Sequence, residues 1–188
     1  MKVSKGLSGK LNKAAKSGFT LTEMLATIII VLLVSAGLVT TVGLALKQYD
    51  NSMRNSEASV LASTLKSIIS NELEHTNVST MEMDASGNVI AFESTDYALK
   101  NSLSSFYAVD EDKSATSGYG QLFCGKKGDT SQGSLVIASA SYTRGLGMKL
   151  KSITYNSTSK YFTVRFEVGY DDTSLKTEEF SVRAMNAK

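Results

Sequence analysis

Glu23 stands at the mouth of a long apolar run, among Phe19, Leu21, Met24 and Leu25. An ionised carboxylate held unpaired at membrane depth costs about 2 to 3 kcal/mol or more, so this one requires a partner. Part of the requirement can be met locally. Thr20-x-x-Glu23 is a capping box, in which the hydroxyl and the carboxylate satisfy backbone donors at a helix start. A cap and a longer-range charge pair are compatible roles for the same side chain.

Other residue patterns that could do chemistry are fewer. Cys124 and His75 are the single cysteine and the single histidine, so no intrachain disulfide can form and no Cys/His metal cluster can be assembled. Cys124 reads as a small buried apolar side chain, and His75 as a positive charge at a helix C-terminus or a plain surface residue. Gly120-Gln-Leu-Phe-Cys-Gly-Lys126 fits most of the phosphate-binding pattern GxxxxGK. Lys127 stands where a magnesium-binding Ser or Thr is needed, and a turn follows instead of a helix, so strand and turn is the better reading. Asp110, Asp112 and Ser114 alternate as calcium-loop oxygens do, but Ala115 replaces the turn glycine and Gln121 the distal acid. They form a weak calcium candidate. Lys126, Lys127, Arg144, Lys149 and Lys151 could make a basic surface, though charge on solvent-facing strands is ordinary and aromatic interleaving for a nucleic-acid groove is weak. No GxSxG, HExxH or paired-carboxylate site occurs, so neither an enzyme nor a bound cofactor is expected, and nucleic acid is not an expected partner.

These residues must be positioned by a few elements, of which the first is an anchor. Leu25 to Leu46 is a 22-residue stretch without a charge, long enough at about 1.5 Å per residue to cross a hydrocarbon core of roughly 30 Å. It is too long for the apolar region of a cleaved secretory signal. Lys2, Lys5, Lys10, Lys13 and Lys16 precede it with no acid among residues 1–18; without them the formal charge of +2 becomes −3. Basic character thus belongs to the N-terminal tail, which is expected to stay cytoplasmic while residues 48–188 lie outside.

Lys16-Ser-Gly-Phe-Thr-Leu-Thr-Glu-Met-Leu25 resembles the cleavage and methylation signature of type IV prepilins: a basic leader ending in glycine, an aromatic residue, a short stretch, then a glutamate and an apolar helix. The resemblance runs over residues 13–46. It implies that a prepilin peptidase cuts between Gly18 and Phe19, that the new N-terminus of Phe19 is methylated, and that Glu23 serves assembly by pairing with that amine in the same or a neighbouring subunit. One departure is plain: where many members carry a helix-kinking proline this chain has Thr40, and it has no proline anywhere. Gly37 and Gly43 could supply flexibility or close packing instead.

Beyond Lys47 the helical period persists. Leu61, Leu65, Ile68, Ile69 and Leu73 recur at three- and four-residue steps, while Ser59, Ser63, Lys66 and Ser70 fall elsewhere. One helix from Phe19 to about His75 is therefore expected. After it the pattern becomes strand-like. Met81–Met83 and Val89–Phe92 flank Asp84-Ala-Ser-Gly-Asn88 as a hairpin, Asp96–Leu103 is expected as a short helix, and 110–120 as a polar loop. Lys149–Tyr155, Tyr161–Tyr170 and Leu175–Met185 read as an antiparallel meander with one apolar face, packed on the amphipathic half of the helix.

The expected fold is α+β and pilin-like, a long N-terminal helix on an antiparallel sheet. Its divisions are a basic leader at 1–18, a hydrophobic membrane and assembly helix at 19–47, and an extracytoplasmic domain at 48–188, helical to about 76 and then β-rich. The resemblance implies a structural subunit of a type IV pilus, minor because the cysteine pair of many major pilins is missing. The alternatives are a pseudopilin of a type II secretion or competence system and, in another class, a single-pass anchored binding protein that never polymerises. Implied partners are the prepilin peptidase, other pilin subunits, a membrane platform protein and an assembly ATPase. Implied locations are the cell membrane, with a cytoplasmic N-terminus, and then an extracellular pilus or a periplasmic pseudopilus.

Overall fold

A computed structural model describes residues 18–94, 103–109, 118–126 and 133–186. Its first element is α1, Leu21–His75, 55 residues long. No proline or turn sequence interrupts it, and Thr20 and Glu23 close its start. Its end is held from a distance: the Met185 N–H donates to the Glu74 carbonyl at 2.9 Å, and Asn186 Nδ2 donates to the His75 carbonyl at 2.7 Å. Carbonyls that a helix end leaves without intrahelical donors are thus satisfied by the far end of the chain.

By its internal contacts the chain forms two compact units, 1–48 and 49–188. In the first, every described residue is exposed, and its helix is long and apolar enough to cross a membrane. Hydroxyls inside this apolar stretch bond back to the helix: Thr27 to the Glu23 and Met24 carbonyls at 2.9 and 2.8 Å, Thr40 and Thr41 to that of Gly37 at 2.8 Å each. That leaves little polar cost to placing them in lipid. A methyl group added at Gly37 or Gly43 would touch nothing within 4 Å.

The second unit has a core that begins on the helix. Ala58, Leu61, Ala62, Leu65, Ile69 and Leu73 are buried, as the periodicity predicts, with Ile68 half-buried against the same cluster. They meet a three-stranded antiparallel sheet built by β6 (Gly147–Asn156), β7 (Tyr161–Tyr170) and β8 (Thr173–Arg183). Phe162, Val164, Phe166 and Val168 alternate inward along β7 and are fully buried, each such side chain contributing about 1.5 to 3 kcal/mol. Register is fixed by the alternation: Val164 lies between Ile153 and Phe180, and Phe162 between Tyr155 and Val182. Where β7 turns into β8, the sheet needs glycine at 169, because a Cβ there would run into the Thr173 carbonyl and the Tyr119 ring.

The expected meander is therefore present, with ends shifted by up to two residues. The expected hairpin is β1 (Glu82–Met83) with β2 (Val89–Ala91). Gly120–Lys126, read as strand and turn, is the strand β4 (Gln121–Lys126); the sheet it belongs to was not read from the sequence, with β3 (Ser104–Val109) and β5 (Ser134–Leu135) on either side in antiparallel order. Bridges at Asn88–Thr154, Phe92–Ser104 and Gly120–Met148 stitch the three sheets together. The fold is α+β, one long N-terminal helix with three antiparallel sheets. The short helix expected at 96–103 falls outside the described residues except for Leu103, and most of the polar loop at 110–120 does too.

Candidate functional site

The N-terminal segment brings together the residues that the sequence singles out. Gly18 and Phe19 precede the helix in an exposed stretch without regular secondary structure, and Phe19 is 75% exposed. Gly18 has no left-handed backbone angle, and a methyl group there would meet nothing within 4 Å. Nothing in the chain's own folding demands glycine at 18, or an aromatic ring at 19.

Thr20 and Glu23 form the reciprocal cap. Glu23 Oε2 accepts from the Thr20 backbone N–H at 3.0 Å and from Thr20 Oγ1 at 2.9 Å, while the Glu23 N–H donates to Thr20 Oγ1 at 3.3 Å. The carboxylate is exposed, on the first turn of α1, and one of its oxygens already takes two donors. Its negative charge also sits at the positive end of the helix dipole. The dipole and the two Thr20 donors together stabilise the ionised carboxylate at this end of the helix. A free amine created at Phe19 would stand one residue from the Thr20 donor that Glu23 already accepts.

Residues 13–39 match the prokaryotic N-terminal methylation motif, the signature of type IV pilins and pseudopilins. The chain carries that motif. Comparison with curated proteins and with solved structures gives no match. The methylation motif implies processing by a prepilin peptidase and assembly with other pilins, and with the apolar helix it points to membrane anchoring. It ends inside the apolar stretch, so β1 to β8 lie beyond it.

The remaining candidates are dispersed. Asp110, Asp112 and Ser114 lie outside the described residues, and so does Lys127. Gly120–Lys126 is mostly β4, paired to β3 from Gln121 through Lys126, so its backbone donors serve a ladder and not a phosphate. Arg144 pairs with Asp50 and Glu57, and Lys151 Nζ lies 3.0 Å from Glu167 Oε2, which dilutes the supposed basic surface. His75 is exposed, its Nδ1 2.8 Å from the Asn71 carbonyl.

Cys124 is buried, and burial pushes its thiol up to about 12, with the nearby Glu72 carboxylate adding to the rise and a hydrogen bond with Ser94 opposing it. Such a thiol is a poor nucleophile. Glu72 is itself buried on the core face of α1 and accepts a short hydrogen bond from Ser94 Oγ. The sequence reading passed over this acid because its position follows the helical period of the apolar stripe.

Proposed function

We propose that this chain is a structural, non-catalytic subunit of a type IV pilus, made as a prepilin, cut between Gly18 and Phe19, methylated on Phe19 and polymerised through α1. In this reading residues 1–18 are a cytoplasmic leader, 19–47 span the membrane, and 48–188 form the domain outside it. The observation that carries the reading is the match of the methylation motif to a stretch, helical from Leu21 on, whose residues from Gly18 to Tyr49 are all exposed. An apolar helix with no cover among the described residues calls for lipid or sister helices. Gly18 and Phe19 support it as well, being residues that an outside enzyme can read and that the fold does not use.

Glu23 supplies the negative half of a charge pair with the methylated amine, and the Thr20 cap holds its carboxylate at the helix start until that partner arrives. A minor position in the filament fits the lone, buried Cys124, which cannot staple the C-terminal region as the paired cysteines of many major pilins do. The platform protein and assembly ATPase follow as partners from the same reading.

The test is mass analysis of the membrane and filament fractions. The expected mature chain begins with N-methylated Phe19. Surface or filament-associated protein retaining Met1 to Gly18 would overturn the reading in favour of a simple anchor. Co-purification with a short periplasmic pseudopilus, and absence from sheared surface pili, would move the subunit to a secretion or competence system.

A further inference from the structure

Tyr49 is an aromatic residue that the chain does not use internally. It is 63% exposed, and among the described residues neither its ring nor its hydroxyl makes a hydrogen bond or ring contact. Only Phe19, at 75%, is a more exposed aromatic residue among them, and it lies at the other end of the apolar stretch. Lys47, also exposed, is the only charged residue between Glu23 and Asp50. A tyrosine and a lysine within one turn, directly after an uncharged run ending at Leu46, are the chemistry that a bilayer interface selects: the ring lies at the level of the headgroups and the ammonium reaches phosphate.

We propose that Tyr49 and Lys47 bind the phospholipid headgroup layer of the extracytoplasmic leaflet and fix the depth at which α1 sits. Axial distance supports the assignment. Glu23 and Tyr49 are 26 residues apart on one unbroken helix, which is about 39 Å of rise. A bilayer is roughly 30 Å thick across its hydrocarbon core and about 40 to 45 Å with its headgroup regions. With Tyr49 in one headgroup layer, an upright helix places Glu23 in the other, hydrated and capped by Thr20.

The depth has a consequence for assembly. Moving the helix outward by two turns, about 11 Å, takes Glu23 into hydrocarbon, where it needs a cation. The lipid anchor and the Glu23 charge pair then act in sequence: the first holds the stored subunit, and the second replaces hydration once the helix is drawn out. The depth assignment rests on the membrane reading of α1 and does not require cleavage or polymerisation.

The chain contains no tryptophan, so Tyr49→Trp makes a single-reporter protein with a closely similar interfacial side chain. The full chain is reconstituted at low protein-to-lipid ratio in vesicles of zwitterionic and anionic phospholipid, using acyl chains brominated at defined depths. Leu33→Trp serves as a mid-span reporter and Met185→Trp as one in the domain. The expected result is blue-shifted emission from Tyr49→Trp relative to Met185→Trp, with quenching strongest when bromine lies nearest the headgroups, and strongest at the chain ends for Leu33→Trp. Solvent-like, unquenched emission from Tyr49→Trp beside a quenched Leu33→Trp would overturn the anchor and leave the span intact. Loss of quenching at both positions would overturn the span and the anchor together. Deepest quenching of Tyr49→Trp by mid-bilayer bromine would place the residue inside the core and also refute the proposal.

Discussion

Arg144 and Asp50, 94 residues apart in the chain, meet at 2.7 Å. The same guanidinium donates from Nε to Glu57 at 3.1 Å, and the neighbouring Thr143 hydroxyl donates to the other Glu57 oxygen at 2.8 Å. Arg54 completes the cluster, 3.2 Å from Asp50 and with its guanidinium over the Tyr170 ring at 4.3 Å. Asp50 and Glu57 are two helical turns apart, so Arg144 ties that length of α1 to the turn that precedes β6. Arg144 holds a left-handed backbone angle, φ 53°, which orients it toward the helix at some conformational cost. The Arg144 side chain is 37% exposed and Asp50 45%, so screening limits the cluster to about 1 kcal/mol or less. Arg144→Met should lower the stability of residues 48–188 by that amount at low salt and by less at high salt, as read from denaturant midpoints. Equal losses at both salt concentrations would place the contribution in packing instead.

The core of the second unit runs from Ala58 to Ala184, and among the described residues the cluster draws on none before 58. Residues 48–188 expressed alone should therefore fold as a soluble monomer with a mixed helix and sheet spectrum, because the exposed apolar stretch has been removed and the buried stripe keeps its sheet. Recovery only as aggregate under reducing conditions, with no cooperative thermal transition, would show that the first unit is needed for folding.

Alkaline pH should weaken this domain. Burial raises the Cys124 thiol from 9.0 to about 12, with Glu72 adding to it, and burial raises the Tyr142 phenol from 10.0 to about 12 although it accepts a hydrogen bond from the Leu122 N–H. Both groups keep their protons in the folded state at pH values where the unfolded chain has lost them. Stability is then full below about pH 9 and falls as pH rises toward 12, each unit of separation being about 1.4 kcal/mol. Cys124→Ala should flatten the first part of that fall, once its own cavity cost is subtracted at neutral pH. A thiol reagent should modify the parent only at the rate of global unfolding.

What could be read from the sequence depended on how local the cause was. The α1 stripe at Leu61, Leu65, Ile69 and Leu73 and the alternation of Phe162, Val164, Phe166 and Val168 each declare their element within a few residues, and both are buried as expected. β3 and β5 gave no such signal: β5 is two residues long, and the burial pattern of β3 leaves Tyr107 and Ala108 both half-buried. β4 was read as a strand because the phosphate-loop pattern failed there and not from alternation: it is buried at five of its six positions, which hides the two-residue period that marks a half-exposed strand. At the candidate site, Thr20 and Glu23 are three residues apart and their cap was legible. Arg144 with Asp50, and Asn186 with His75, join residues 94 and 111 positions apart, and only the folded chain brings them together.

Glu23 is where the cap and the assembly role can be separated. In Glu23→Gln the amide oxygen can still accept from the Thr20 N–H and hydroxyl, as Glu23 Oε2 does at 3.0 and 2.9 Å, and glutamine closes a capping box too. Helix propensity is nearly unchanged. What is lost is the charge that, in the proposed pairing, would attract a methylated Phe19 amine, and in a low-dielectric setting such an attraction is far larger than in water. Under the proposed function the variant should still be cut at Gly18 and accumulate in the membrane as the parent does. Its amount in sheared filaments should fall on the order of tenfold, the factor carried by roughly 1.4 kcal/mol of lost pairing. A capped anchor with no role in assembly would instead behave as the parent in both fractions. Parental filament levels of Glu23→Gln beside an equal membrane pool would show that the charge pair does not drive incorporation. A smaller membrane pool in the variant would locate the defect before assembly, in insertion or turnover, and would refute the division of roles drawn here.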